Sequence, residues 1–69
     1  MKSNLDDNLV FNAIDHYKEN NKNKHAFNVL IGGYVNGDIA MREMMEEDLK
    51  GIGDVLKVAK SVEAGVYGY

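Results

Sequence analysis

Sixty-nine residues, with eleven acids against eight bases for a net charge of −3 and 45% hydrophobic content, describe one small domain of ordinary globular composition. The absence of cysteine excludes disulfides and thiolate metal sites, and two histidines, His16 and His25, are too few for a histidine zinc site unless carboxylates complete it. The mild negative charge argues against a dedicated nucleic-acid binder, and no apolar run approaches the roughly 18 residues that a membrane span needs.

The first predicted element opens at Ser3-Asn4-Leu5-Asp6, a variant of the capping box in which Asp replaces the usual Glu. Asp6 and Asp7 suit the positive end of a helix. Behind them Leu5, Leu9, Val10, Ala13, Ile14 and Tyr17 recur at helical spacing, predicting a helix over about residues 4–19 with Phe11 outside the stripe. His16 falls beside Leu5 and Leu9 on the helical wheel, which predicts a partly buried structural histidine.

Asn20-Asn21-Lys22-Asn23-Lys24-His25 carries no apolar residue and reads as a polar connector. Residues 26–35 admit two readings. As a helix, Phe27, Leu30, Ile31 and Tyr34 share a face, and Asn36-Gly37 ends it in a left-handed conformation. As a strand, Phe27, Val29, Ile31, Gly33 and Val35 alternate into an Asn-Gly hairpin turn. Gly32-Gly33 and the short return arm favour the helix.

Asp38 is a fitting N-cap for the third element. From Ile39 onward, Met41, Met44, Met45, Leu49, Ile52, Val55, Leu56, Val58, Ala59 and Val62 fill one half of a helical wheel, and the phase survives Gly51 and Gly53. That continuity predicts one long helix over about residues 39–64, with an exposed Glu46–Lys50 pair and Gly65 as its cap. An aromatic tail over residues 65–69 follows. The fold class expected is all-α: two short helices packed on one long C-terminal helix, in a single domain.

The stripe on that long helix is wider than a two-stranded coiled coil requires. A chain this short buries only about 60% of its unfolded surface. Both considerations predict a homo-oligomer, with Met41, Met45, Leu49, Ile52 and Leu56 as the candidate interface and Tyr67 and Tyr69 as possible anchors beside Tyr34. The cluster Met41, Met44, Met45 is either core or an adaptable binding surface, since methionine serves both.

Motifs for chemistry are sparse. Asn36-Gly37-Asp38-Ile39-Ala40 followed by Glu43 resembles the second half of an EF-hand calcium loop, but Gly32 and Tyr34 stand where the first two carboxylates belong, so an ordinary helix–turn–helix corner is expected. Read as a DNA-binding helix-turn-helix, the recognition helix would begin with four acids and one arginine, leaving Lys18, Lys22, Lys24 and His25 as sparse backbone contacts. Asp15 and His16 point about 100° apart on a helix and form no dyad. Ser3 and Ser61 sit in a cap and on a polar face, and neither Gly32-Gly33 nor Gly51-x-Gly53 has the context of a phosphate loop. No catalytic, cofactor or metal residues are assigned.

The expected function is therefore non-enzymatic binding through protein–protein contact, in the cytoplasm and without a membrane. Richness in asparagine and lysine, in a chain beginning at methionine, points to an AT-rich bacterial or phage gene, and so to an inhibitor of a host or defence factor. The alternatives are a small transcriptional regulator or nucleic-acid accessory protein, and an oligomer that sequesters a small ligand.

Overall fold

The computed structural model describes residues 7–66, and every regular element among them is helical: α1 (Asp7–Glu19), α2 (Lys24–Asn36), α3 (Ile39–Asp48), α4 (Val55–Ser61) and a π-helical turn (Val62–Val66). The Ser3–Asp6 capping box lies outside the described residues, as do Tyr67 and Tyr69.

α1 buries Val10, Ala13, Ile14 and Tyr17, the i, i+3, i+4, i+7 set of one helical face. Leu9, assigned to that stripe, is 39% exposed at its edge. His16 is also exposed, so the structural histidine expected there is instead a surface residue. The stripe that covers the core is narrower than the sequence pattern.

The connector between α1 and α2 uses its asparagines as hydrogen-bonding groups. Asn20 Oδ1 accepts from Lys22 N at 3.0 Å, forming an Asx-turn, and Asn23 Oδ1 caps α2 by accepting from Ala26 N at 3.1 Å. The helices then run antiparallel: the Tyr17 and Phe27 rings pack 6.1 Å apart, while at the other end Val10 lies against Gly33.

α2 is the hub of the fold, packing on α1, α3, α4 and the π-helical turn. It buries Ala26, Leu30, Gly33 and Tyr34, whereas Phe27 and Ile31 sit at the flanks. The hairpin alternative over residues 26–35 is thereby excluded. Helix α2 does end at Gly37, but Gly37 is extended (φ −81°, ψ 162°) rather than left-handed. Its requirement is space: a Cβ there would lie 2.6 Å from the Gly33 carbonyl oxygen and 2.9 Å from Met41 Cγ.

Asp38 caps α3, its Oδ1 accepting from Met41 N at 2.9 Å, so the calcium-loop-like segment is a helix–turn–helix corner. The long C-terminal helix is not formed. α3 stops at Asp48, and Gly51 (φ 75°) and Gly53 (φ 61°) turn the chain through left-handed backbone before α4 begins. The apolar phase survives the break because α3 and α4 each turn one face to the same α2 core. Continuity of phase reports a shared core, and a continuous helix is only one way to produce it. Glu46 accordingly does not meet Lys50, which lies in the turn, but Lys60 of α4 at 3.7 Å. Gly65 lies within the π-helical turn instead of capping an α-helix.

The core comprises Val10, Ala13, Ile14, Tyr17, Ala26, Leu30, Tyr34, Met45, Leu49, Val55 and Ala59, each 4% exposed or less. At roughly 1.5–3 kcal/mol for each fully buried large side chain, Leu30, Met45 and Leu49 are among the principal stabilising residues.

Candidate functional site

Two features around α2 stand out, one polar and one apolar. The polar one centres on Arg42, the sole arginine. Its guanidinium lies 5.3 Å from the centre of the Tyr34 ring, its Nε donates to the Tyr34 carbonyl at 2.9 Å, and Nη2 donates to the Val35 carbonyl at 3.1 Å. Nη2 also pairs with Glu63 Oε2 at 2.5 Å. The final carbonyls of α2 lack intrahelical partners, and α2 has no base in its own last turn. α3 supplies the missing donor. A single planar group thereby ties α2, α3 and the π-helical turn together.

Tyr34, a candidate interface anchor from sequence, instead buries its ring and donates its hydroxyl to Glu46 Oε2 at 2.7 Å. Burial, reinforced by this hydrogen bond to Glu46 and that residue's negative charge, pushes the phenol up to about 12. The hydrogen bond from Tyr34, aided by the Lys60 charge, holds the Glu46 carboxyl below its ordinary value. This cluster is fully explained as a clasp between elements.

The apolar feature is an open groove of about 550 Å³ where α1 and α3 splay apart over the C-terminal half of α2. One wall carries Asp7, Val10 and Phe11, spaced i, i+3, i+4 along α1; the other carries Ala40, Met41 and Met44. Gly33 of α2 and the Gly37 cap that follows it lie between, with Asn36 and Asp38 at the end. Phe11 is 44% exposed here, and Ile39, between two groove-lining residues, is 74% exposed. Among the described residues, Phe11 and Ile39 stand with Leu9 as the exposed large apolar side chains, and neither Phe11 nor Ile39 was singled out from sequence as an interaction residue. Phe11's place outside the α1 stripe was the available signal.

The structure divides the residues expected to form one interface. Met45 and Leu49, each 1% exposed, are absorbed by the chain's own core. Ile52 and Leu56 are half-buried against that core, one in the glycine turn and one in α4. Met41 lines the groove, and so does Met44. The methionine cluster is divided: Met45 is core, and Met41 and Met44 are partly buried against it on the groove wall.

Lys18, Lys22, Lys24 and His25 are all exposed at the α1–α2 connector, the opposite end of that hairpin from the groove. Among the described residues, no three His, Cys, Asp or Glu side chains group closely enough to hold a metal ion, and no helix is long and apolar enough to cross a membrane. No protein-family model matches the chain, and no curated protein or solved structure is detectably similar to it.

Proposed function

We propose that this chain is a small non-enzymatic binding protein that acts by protein–protein contact through the groove between α1 and α3. The observation that carries this reading is the groove itself: an opening of about 550 Å³ whose lining sets Phe11, Ala40, Met41 and Met44 among Asp7, Asn36 and Asp38, with Phe11 and Ile39 left in water. An exposed apolar surface rimmed by polar groups is a common mark of an interaction site. Met41 and Met44 add side chains that adapt their shape to a partner. An inhibitor that seizes a host or defence factor is one form such a contact takes.

The nucleic-acid alternative is less well supported. α3, the helix that would enter a DNA groove, exposes Glu43, Glu47 and Asp48, and its one arginine is committed to α2 carbonyls and Glu63. Self-association was expected from a single long apolar stripe. With that stripe split between α3 and α4 and its centre buried in the chain, the groove is the better-supported contact surface.

Ala40 is exposed on the groove wall, and Lys57 is exposed on α4. A photo-crosslinking residue placed at each position, in cells that produce the protein, separates the readings. The reading requires one discrete protein adduct from position 40 and none of it from position 57. Adducts from 57 alone, or adducts to nucleic acid, would refute it.

A further inference from the structure

Resting on the groove as a protein-docking site, we propose that its occupant is a cationic amphipathic helix of a partner protein. Its walls are helices α1 and α3, and its floor is Gly33 of α2 and the Gly37 cap, over which Val10 and Met41 pack closely. An apolar trough between two helices accepts the side-chain ridge of a third, the usual mode of helix-in-groove recognition.

Charge selects the kind of helix. Among the described residues both ionisable groups lining the groove are acids, Asp7 and Asp38, and Glu43 is exposed one turn along α3 from Ala40. Each aspartate sits at a helix start, where the dipole's roughly +0.5 charge offsets about half of its own. The groove therefore keeps a negative rim. Among the described residues no lysine or arginine lines it: Arg42 is held by α2 and Glu63, and Lys18, Lys22 and Lys24 stand at the far end of the α1–α2 hairpin.

A second copy of this chain is a poor occupant. Residues 18–25, its basic end, contain no apolar side chain to fill the trough. Two grooves face to face would set acid against acid. Nucleic acid and anionic membranes carry the wrong sign altogether.

Two helix-stabilised peptides with the same leucine face, one bearing lysines and the other glutamates on the opposite face, are titrated into the full chain. The methyl resonances of Val10, Met41 and Met44 report occupancy. The Leu–Lys peptide should saturate these signals and the Leu–Glu peptide should not. Asp7→Asn with Asp38→Asn, which keeps the α3 cap because Asn caps as well as Asp, should weaken the Leu–Lys peptide about threefold to tenfold. Equal response to both peptides, indifference to the asparagine substitutions, or shifts confined to residues 18–25 would overturn the proposal. So would methyl shifts that depend on protein concentration alone, or contacts from residues 1–6 to these methyls in the free chain. A groove that binds the Leu–Glu peptide refutes the cation and leaves the docking site standing; failure of crosslinking at position 40 refutes the docking site itself.

Discussion

Gly53 lies directly under the hydroxyl of Tyr17, so close that a methyl group on Gly53 would overlap the phenol oxygen. Tyr17 is 1% exposed and anchors α1, so the turn between α3 and α4 is pinned to the far side of the core through a missing side chain. Gly53 also needs its positive φ of 61°, which L-residues adopt at a cost of roughly 1–2 kcal/mol. Gly51 shares the conformation (φ 75°), but a Cβ there meets open space.

The two glycines should therefore separate under substitution. Gly51→Ala is expected to destabilise by about 1–2 kcal/mol, the conformational term alone. Gly53→Ala adds a steric conflict with Tyr17 and should lose more than that. Urea denaturation of both variants checks the order, and equal losses would mean that Tyr17 yields freely.

Arg42 should be more than a surface charge. Arg42→Met removes the donor from the Val35 carbonyl and from Glu63, leaves the Tyr34 carbonyl with the Gly37 N–H at 3.4 Å, and should cost about 1–3 kcal/mol. Arg42→Lys should recover only part, because an ammonium cannot reproduce the planar fork that serves both carbonyls. Lys57→Met, on an exposed position of α4, should stay within about 0.5 kcal/mol of the wild type in the same denaturation series.

Tyr34 makes stability depend on alkaline pH. The fold raises its phenol from 10.0 to about 12, so the neutral form is favoured in the folded state. That contribution is complete below pH 10 and declines as pH rises from 10 through about 12. The loss from this group has an upper limit of about 2–3 kcal/mol at 1.36 kcal/mol per unit. Tyr34→Phe should flatten that part of the pH profile, which thermal melts followed by circular dichroism at successive pH values will show.

Glu46 acts at the other end of the scale. Its carboxyl is held below 4.5, first by the Tyr34 hydrogen bond and then by the Lys60 charge, so its contribution is present above that value and fades as pH falls through the lower folded one. Glu46→Gln keeps an acceptor for Tyr34 but removes the titration. A reduced acid dependence in the same melts is the expected result.

The start of α3 was legible because capping is local: Asp38, ahead of an apolar stretch, accepts the Met41 N–H three residues on. Asn23 caps α2 in the same way, but it read as part of the polar connector, and α2 begins two residues earlier than expected. The break in the C-terminal half was signalled by Gly51-Ile52-Gly53-Asp54, two glycines followed by a residue that commonly opens helices, yet wheel periodicity overrode it. Periodicity records which side chains face apolar surroundings, and two helices on one core satisfy it as well as one. The Arg42 clasp and the groove were beyond reach for a different reason. Both depend on how α1 and α3 are set against α2, and residues such as Phe11 and Met44 acquire meaning only when those distant elements are brought together. Even adjacent Met44 and Met45, about 100° apart on a helix, divide between the groove wall and the core once the direction of the core is fixed.

The claim that the α1–α3 groove is the contact surface is tested most directly at Phe11, which lines it while 44% exposed. Phe11→Asp places a charge on the wall and leaves each of the core residues in place. The crosslinker at position 40 reads out occupancy in the wild-type and Phe11→Asp backgrounds, with thermal unfolding measured on both. A fold preserved to within a few degrees, together with loss of most of the position-40 adduct, is the predicted result. An undiminished adduct in the folded Phe11→Asp protein would contradict the account.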